Sequence, residues 1–238
     1  MTTTRTDDPR TDDLSRTLPA AVLWDMDGTL IDTEPYWIGA ETELVEAHGG
    51  VWTHEDGAAM VGNPMSAAVV ALQARGVDLT ADEIADFLNG RVRAGVAAEV
   101  PWQPGALAIL QALHGAGVPM ALVTSSFRVL AQPFAETVGL FDVVVSADDV
   151  ERFKPDPEPY LLAASLLGVP VERCVAVEDS HSGVASAVAS GARVIGVEVM
   201  QELADRPGLS RVASLADLTL DDLARIADGD VLDLRPAR

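Results

Sequence analysis

Short apolar runs alternate with helical segments along most of the chain. Apolar runs that predict buried strands lie at residues 20–24, 119–125, 142–146, 174–178 and 193–199. Apolar residues at helical spacing predict helices at residues 104–117, 129–138, 157–168, 182–190 and 214–227. Such alternation is typical of a parallel sheet with helices on both faces. The pattern therefore predicts an α/β protein with a Rossmann-like core, in which about five parallel strands have the first strand in the middle.

A different pattern fills the stretch after the first strand. Residues 33–99 show helical spacing and no convincing strand, and Thr80 to Glu83 form a capping-box sequence ahead of an apolar face. The residues that share the first helical face of this stretch are Trp37, Ala40, Leu44 and His48. We therefore predict four units along the chain. These are a disordered arm at 1–18, an α/β core at 19–32 and 100–228, a helical insert at 33–99 and a C-terminal tail at 229–238.

Composition and charge narrow the range of partners. The 238-residue chain has a formal net charge of −21 and no basic stripe, which argues against nucleic acid and anionic membranes. No run approaches the roughly 20 apolar residues that cross a bilayer, and the N-terminus does not resemble a secretory signal. The single cysteine, Cys174, cannot form an internal disulfide. We expect a cytoplasmic protein that is a monomer, with a dimer as the alternative.

Two carboxylates follow the first strand. Asp25 and Asp27 are two residues apart, so they face the same side of an extended backbone, and Gly28 allows a sharp turn after them. Open α/β sheets bind their ligands at this end of a strand. Two carboxylates 4 Å apart repel each other by roughly 4 kcal/mol in a partly screened site, so we expect a cation beside them. The alternative is an Asp-Gly turn whose acids have no chemical role.

Three further segments carry polar residues after strands or in a stiff loop. Thr124 and Ser125 offer hydroxyls ahead of a helix, which suits a phosphate oxygen but also an ordinary helix cap. Lys154, the only lysine among 16 basic residues, directly precedes Pro155 in a loop that three prolines stiffen; a surface lysine is the alternative. Glu178 and Asp179 end a buried strand, and a helix cap at Asp179 is the alternative there.

These groups are expected to converge, because the carboxyl ends of parallel strands meet at one edge of the sheet. Asp25, Glu178 and Asp179 supply hard oxygen ligands that suit Mg²⁺ together with water and a substrate phosphate. Lys154 would balance part of the remaining negative charge. The sequence therefore predicts a Mg²⁺ site that receives a substrate phosphate.

Four motifs, in this order, resemble those of the haloacid dehalogenase superfamily. They are Asp25-Met26-Asp27-Gly28-Thr29, Thr124-Ser125, Lys154-Pro155, and Glu178-Asp179-Ser180 with Gly183. The resemblance covers residues 20–199, and the insert at 33–99 is similar to the C1 helical cap of that superfamily. The Glu-Asp-Ser sequence of the fourth motif resembles the branch that contains β-phosphoglucomutase and the sugar- and polyol-phosphate phosphatases.

The resemblance implies a nucleophile and a metal site. Asp25 would attack phosphorus and become an aspartyl phosphate. Asp27 would protonate the leaving oxygen and then take a proton from the attacking water. Mg²⁺ would bind Asp25, the backbone carbonyl of Asp27 and Asp179, with Glu178 on or beside the metal.

The resemblance also implies a phosphate site. Thr124 and Lys154 would hold the transferring phosphoryl group, whose charge is stabilised mainly by electrostatics. Gly28, Thr29 and Ser125 are the other residues expected to bind phosphate. The implied activity is that of a Mg²⁺-dependent phosphatase, a phosphoric monoester hydrolase acting on a phosphorylated metabolite of the sugar or polyol phosphate class.

Other activities of the superfamily fit the sequence less well. A dehalogenase would need neither Asp27 nor Mg²⁺, and a phosphonatase would need a lysine in the cap, where this chain has none. A β-phosphoglucomutase-like mutase resembles the core, but by our alignment it has a histidine and an arginine where this chain has Trp37 and Met65, which favours hydrolysis. A catalytically silent metabolite-binding module is the remaining alternative, and the intact acids argue against it.

Overall fold

The computed structural model describes residues 17–61, 63, 65–199 and 202–236. Almost all of the predicted arm at 1–18 lies outside the described residues, as do the last two residues of the predicted tail. Within the described part, the chain forms six strands and nine α-helices. The strands are β1 (Ala21–Trp24), β2 (Met120–Val123), β3 (Val143–Val145), β4 (Cys174–Glu178), β5 (Arg193–Val197) and β6 (Leu209–Val212). The helices are α1 (Glu34–Ala47), α2 (His54–Ala58), α3 (Met65–Ala74), α4 (Ala81–Ala98), α5 (Ala106–Gly115), α6 (Arg128–Val138), α7 (Glu158–Leu167), α8 (His181–Ser190) and α9 (Leu220–Ala227).

The strands form one parallel sheet in the order β3-β2-β1-β4-β5-β6. The first strand is therefore an inner strand with β2 on one side and β4 on the other. The predicted parallel α/β fold is confirmed, and each of the five predicted strands matches an observed strand to within two residues at each end. This arrangement places the carboxyl ends of β1, β2 and β4 side by side.

The sixth strand, β6, is an edge strand that the sequence pattern does not indicate. Ser210 and Arg211 lie within it and are almost completely buried, so the strand lacks a continuous apolar run. Arg211 forms an ion pair with Glu198 and donates to the carbonyl oxygen of Leu203 at 2.9 Å. Because its charge is compensated, the guanidinium is tolerated where the pattern expects an apolar side chain. The predicted number of about five strands is therefore corrected to six.

The predicted helix at residues 214–227 is shorter than expected. Residues 215–217 form a single 3₁₀ turn, and α9 begins after Thr219. Thr219 caps α9 by accepting from the backbone N–H of Asp222 at 3.2 Å, while Asp222 accepts from the backbone N–H of Thr219 at 3.1 Å. This reciprocal capping box fixes the helix start six residues after the start of the predicted segment.

β1 is completely buried and separates two hydrophobic clusters. Val22 and Trp24 belong to the cluster that includes side chains of α5, α6 and α9. Ala21 and Leu23 belong to the opposite cluster, which includes Tyr160 and other side chains of α7 and α8. Helices therefore cover both faces of the sheet, and close packing around β1 fixes the position of the residues that follow it.

Helices α1, α3 and α4 form a hydrophobic cluster of their own. Its buried members include Ala40, Leu44, Leu72, Ile84 and Leu88. The described residues between 33 and 99 contain no strand. The predicted capping box is present, since the Thr80 hydroxyl accepts from the backbone N–H of Glu83 at 3.3 Å. His48, which the helical pattern places on the first face, is exposed and hydrogen-bonds the Leu44 carbonyl oxygen at 2.8 Å.

Two adjacent connections join this helical segment to the sheet. The backbone N–H of Asp32, before α1, donates to the carbonyl oxygen of Pro101, after α4, at 2.9 Å. The backbone N–H of Gln103 donates back to the carbonyl oxygen of Leu30, also at 2.9 Å. These hydrogen bonds hold the start of α1 close to the carboxyl end of β1.

Candidate active site

Three buried carboxylates meet at the carboxyl ends of β1 and β4. Asp25 directly follows β1, and its backbone N–H donates to the carbonyl oxygen of Val177 in β4 at 3.1 Å. Glu178 is the last residue of β4 and Asp179 follows it. One carboxylate oxygen from each of the three acids lies within 4.8 Å of the others. The parallel register of β1 and β4 thus brings together acids that are far apart in sequence.

Lys154 is buried among these carboxylates rather than exposed on its loop. Its Nζ donates to Asp25 Oδ1 at 2.7 Å, to Glu178 Oε1 at 2.6 Å and to the carbonyl oxygen of Val123 at 2.9 Å. Its side chain is only 3% exposed. All three N–H groups of the ammonium therefore donate hydrogen bonds. The two bonds to Asp25 and Glu178 connect the ends of β1 and β4.

Burial and mutual repulsion shift the ionisation of the cluster. Burial raises the pKa of Asp25 well above its ordinary value, and the neighbouring charge of Glu178 adds to this effect. The same two causes raise the pKa of Asp179 to about 7. Burial alone would lower the pKa of Lys154, but the attraction of Asp25 and Glu178 outweighs burial and raises it. The ammonium therefore stays charged and does not fully neutralise the acids.

The cluster has the features of a divalent cation site. Three carboxylates and one ammonium leave a formal excess of two negative charges. Asp25 Oδ2 is buried and has no hydrogen-bond partner among the described residues, which is costly for an ionised oxygen unless a cation contacts it. Carboxylate oxygens are hard ligands that suit Mg²⁺ and similar ions. The residues present therefore fit a hard divalent metal.

Two glycines let backbone approach the carboxylates closely. Gly28 has φ +89°, and a Cβ built on it would lie 2.2 Å from Asp179 Oδ2. A Cβ built on Gly183 would lie 1.9 Å from the Glu178 carboxylate. Any side chain at either position would displace an acid of the cluster. Gly28, predicted to bind phosphate, is thus placed directly against Asp179.

Thr29 lies behind the cluster. Its side chain is completely buried, and its hydroxyl donates to Asp179 Oδ1 at 3.1 Å. In this position Thr29 orients a carboxylate of the cluster. Its binding to phosphate stays a prediction from the sequence.

Asp27 is held apart from the acid cluster by hydroxyl groups. Its Oδ1 accepts from Thr33 Oγ1 at 2.7 Å. Its Oδ2 accepts from Ser126 Oγ at 2.8 Å and, more weakly, from Thr124 Oγ1 at 3.4 Å. The carboxylate is therefore oriented between the N-cap residue of α1 and the end of β2. Thr33 and Ser126 are site residues that sequence reasoning missed.

The two serines after Thr124 have different environments. Ser125 is exposed, and its hydroxyl has no hydrogen-bond partner among the described residues, whereas Ser126 contacts Asp27. The three consecutive hydroxyl residues made this segment a candidate site in the sequence. Residues two apart lie on the same side of an extended chain, so the hydroxyls of Thr124 and Ser126, and not that of Ser125, contact Asp27.

Ser126→Ala and Ser125→Ala form a matched pair of variants. Loss of the hydrogen bond to a charged acceptor costs about 1.5–3 kcal/mol, so we expect Ser126→Ala to lower kcat roughly tenfold through misplacement of Asp27. Ser125→Ala tests whether the exposed hydroxyl binds phosphate, and its effect should appear in KM. Steady-state kinetics of both variants checks this. Equal effects on kcat would argue against a special role of Ser126.

Tyr160 is a further residue that the sequence analysis did not identify. Its Oη donates to Glu178 Oε1 at 2.6 Å, and Lys154 Nζ lies 5.3 Å from the centre of its ring. Burial raises the pKa of Tyr160 well above its ordinary value, with Glu178 adding to the shift, so the phenol remains a donor. Ser180 Oγ donates to the other Glu178 oxygen at 3.1 Å. These contacts fix Glu178 from α7 and from the start of α8.

The parallel sheet and the acidic site at its carboxyl edge define a protein with a Rossmann-like core and a candidate metal-dependent active site. A family model of haloacid dehalogenase-like hydrolases matches residues 19–191. The chain belongs to this family. The matched range includes Asp25, Lys154, Glu178 and Asp179 as well as the helical segment. Each described helix is too short or too polar to cross a bilayer.

The relatives of this chain include several sugar-phosphate phosphatases. Hexitol phosphatase A of Escherichia coli (strain K12) is 34% identical over 88% of this chain and 96% of its own length. Fructose-1-phosphate phosphatase YqaB of the same organism is 32% identical over 76% of this chain and 97% of its own length. CbbY from Rhodobacter sphaeroides in complex with phosphate matches with a TM-score of 0.72 and 26% identity, over 84% of this chain and 96% of that one.

Proposed function

We propose that this protein is a Mg²⁺-dependent phosphatase that hydrolyses a small phosphorylated sugar or polyol through an aspartyl-phosphate intermediate. The observation that carries the proposal is the buried cluster of Asp25, Glu178 and Asp179 with Lys154. The phosphatase relatives favour hydrolysis over a mutase activity. A cytoplasmic location and a monomeric state remain predictions from the sequence.

In the first step, an oxygen of Asp25 forms a bond to phosphorus while the bond from phosphorus to the leaving oxygen breaks. The Thr124 hydroxyl holds the phosphoryl group, and the positive charge of Lys154, beside Asp25 Oδ1, stabilises the charge of that group. Asp27 donates a proton to the leaving oxygen, which departs as an alcohol. The hydrogen bonds of Asp27 to Thr33 and Ser126 orient it for this transfer.

In the second step, water attacks phosphorus and Asp27 takes its proton. The bond from Asp25 to phosphorus breaks and inorganic phosphate leaves. The overall reaction consumes one phosphate ester and one water and yields one alcohol and one phosphate. Asp27 returns to its protonated state and Asp25 to its carboxylate, so the site is ready for another turnover.

Asp25, Asp179 and the backbone carbonyl of Asp27 would hold Mg²⁺, with Glu178 on or beside the metal. When bound, Mg²⁺ supplies positive charge that lets an anionic phosphoryl group approach anionic carboxylates. Glu178 contributes negative charge and fixes Lys154 at 2.6 Å. We also propose that residues 33–99 act as the cap that contacts the leaving group, since Thr33 at the start of α1 contacts Asp27 directly.

The purified protein should be tested with p-nitrophenyl phosphate and with a panel of sugar, polyol and nucleotide monophosphates. We expect phosphate release that requires Mg²⁺ and stops with a chelator, and higher kcat/KM for sugar or polyol phosphates than for nucleotides. A covalent phosphoenzyme should be trapped on Asp25. Activity that survives complete removal of divalent metal would contradict the proposed mechanism, and absence of any phosphatase activity would contradict the function.

Lys154→Arg is expected to be a non-conservative change. The ammonium occupies a site closed by Asp25, Glu178 and the Val123 carbonyl oxygen, and a planar guanidinium is too large for it. We expect kcat/KM to fall at least about tenfold. The matched control is Arg152→Lys, two residues earlier, where the side chain is 69% exposed and a loss within about twofold is expected. Wild-type kinetics for Lys154→Arg would show that the ammonium geometry is unimportant.

A further inference from the structure

The chain turns back on itself directly after the first acid of the site. The backbone N–H of Ile31 donates to the carbonyl oxygen of Met26 at 3.1 Å, and the backbone N–H of Gly28 donates to the carbonyl oxygen of Ile31 at 2.8 Å. Asp27, the proposed general acid, lies inside this turn. We call residues 26–31 the Asp27 turn. The place of the Asp27 carboxylate therefore depends on how this turn is held against the core.

Gln103 donates two hydrogen bonds to the Asp27 turn. Its backbone N–H donates to the carbonyl oxygen of Leu30 at 2.9 Å. Its side-chain Nε2 donates to the carbonyl oxygen of Gly28 at 3.2 Å, across 75 residues of chain. Gln103 lies on the connection that returns from the helical segment to the sheet, and it is only 6% exposed. One buried residue thus holds two carbonyl groups of the turn.

Gln103 is itself fixed to the core. Its carbonyl oxygen accepts from the backbone N–H of Ala106, the completely buried first residue of α5, at 3.0 Å. Pro104 follows it, and a residue before proline is restricted to extended backbone conformations. The side-chain amide of Gln103 is therefore presented from a rigid support.

The carbonyl group that receives this amide is close to the proposed chemistry. Gly28 directly follows Asp27 and has φ +89°, and a Cβ built on it would lie 2.2 Å from Asp179 Oδ2. Without the amide of Gln103, a partly buried carbonyl oxygen loses its hydrogen bond, which favours a rearrangement of the turn. A misplacement of about 1 Å in a group that takes part in the reaction can lower the rate substantially.

We propose that Gln103 is a positioning residue for the general acid, because its side-chain amide holds the Gly28 carbonyl oxygen and thereby sets the place of Asp27 beside the leaving oxygen. This inference rests on the proposed phosphatase function. The nucleophile is held separately, since the backbone N–H of Asp25 donates to the carbonyl oxygen of Val177 in β4. Loss of the amide should therefore impair proton transfer to the leaving oxygen more than substrate binding.

Gln103→Leu tests this role, because leucine keeps much of the volume and removes the amide. We expect kcat for sorbitol 6-phosphate to fall about tenfold with KM changed by less than about twofold. With p-nitrophenyl phosphate, whose leaving group needs no proton, kcat should fall by less than about threefold. The matched control is Gln73→Leu. Gln73 Nε2 also donates to a backbone carbonyl oxygen, that of Leu79 at 2.9 Å, but on the exposed surface of the helical segment, so kcat should be unchanged.

A double-mutant cycle separates positioning from a general structural effect. In the Asp27→Asn background, Gln103→Leu should lower kcat for sorbitol 6-phosphate by less than about twofold, because the group that it positions is already gone. The rise in Tm on addition of Mg²⁺ should be retained in Gln103→Leu. A similar loss in both backgrounds, similar losses on both substrates, or loss of the Mg²⁺ effect through Asp179 would each overturn the inference.

Gln103→Asn provides a second variant, because its amide ends one methylene short of the Gly28 carbonyl oxygen. The same cycle is measured with it, so a folding defect of Gln103→Leu still leaves a decisive result. A wild type that hydrolyses p-nitrophenyl phosphate but no alkyl phosphate would overturn the inference, since Asp27 would have no leaving oxygen to protonate, and phosphatase activity would stand. A wild type that hydrolyses no phosphomonoester would overturn the proposed function as well.

Discussion

Asp25→Asn is expected to abolish phosphatase activity, with a loss of more than about 10⁴-fold in kcat. The amide nitrogen and oxygen cannot replace a carboxylate oxygen as the nucleophile that bonds to phosphorus. The substitution also removes the buried oxygen that has no partner among the described residues, Asp25 Oδ2. The measurement is phosphate release under saturating substrate and Mg²⁺, with trapping of the phosphoenzyme in parallel. Turnover within tenfold of the wild type would rule out the aspartyl-phosphate mechanism.

Thermal unfolding of the same variant shows whether the loss is chemical or structural. Burial and Glu178 raise the pKa of Asp25, and they raise the pKa of Asp179 from 3.8 to about 7. The folded state therefore binds protons more tightly than the unfolded state, so this cluster loses stability as the pH rises from 3.8 to about 7. Asparagine at position 25 carries no charge. At pH 8 without metal we expect Asp25→Asn to have a higher Tm than the wild type, and a lower Tm would contradict this account.

Asp27→Asn is expected to lower kcat by about 10²–10⁴-fold, the usual contribution of general acid–base catalysis. The asparagine oxygen can still accept from Thr33 or Ser126, but no group remains to exchange a proton with the leaving oxygen. The Asp27 carboxylate lies outside the acid cluster of Asp25, Glu178 and Asp179. The rise in Tm on addition of Mg²⁺ should therefore be retained in this variant.

The leaving group provides a sharper test of the role of Asp27. Nitrophenolate is stable enough to leave as an anion, whereas the alkoxide of a polyol needs a proton as it leaves. Asp27→Asn should therefore impair hydrolysis of a polyol phosphate more than hydrolysis of p-nitrophenyl phosphate. The control is Asp32→Asn, because the Asp32 side chain accepts from the backbone N–H of Glu34 at 3.2 Å and asparagine can do the same. Equal losses on both substrates would mean that Asp27 acts by position or charge and not as an acid.

The parts of the fold and site that follow from local pattern were predictable. Apolar runs locate β1 to β5, and the rule that parallel strands end at one edge brings Asp25, Glu178 and Asp179 together. The same rule explains why Lys154, presented by a proline-rich loop, reaches two of these acids. Polar residues directly after buried strands are a strong signal because they are poor choices for the strand itself.

The parts that depend on tertiary pairing were not predictable. β6 was missed because Arg211 is buried by its pairing with Glu198, which lies directly after β5. The contact of the Thr29 hydroxyl with Asp179, 150 residues further along the chain, was also not predicted. Tyr160 lies in the middle of a helix that resembles ordinary core packing, and its contact with Glu178 is visible only in three dimensions. In each case the partner, not the residue type, determines the role.

The paired connections around residues 30–32 and 101–103 allow the helical segment to be replaced without disturbing the sheet. Hydrogen bonds join Asp32 to Pro101 and Gln103 to Leu30. The two ends of the helical segment therefore lie next to each other where they enter the sheet. The cost of closing an inserted loop grows only slowly with its length. A helical module of another size or shape can therefore replace residues 33–99 while β1 and β2 keep their register. Substitutions in the helical segment can thus change which leaving group is accepted while the acids at the sheet edge keep their chemistry.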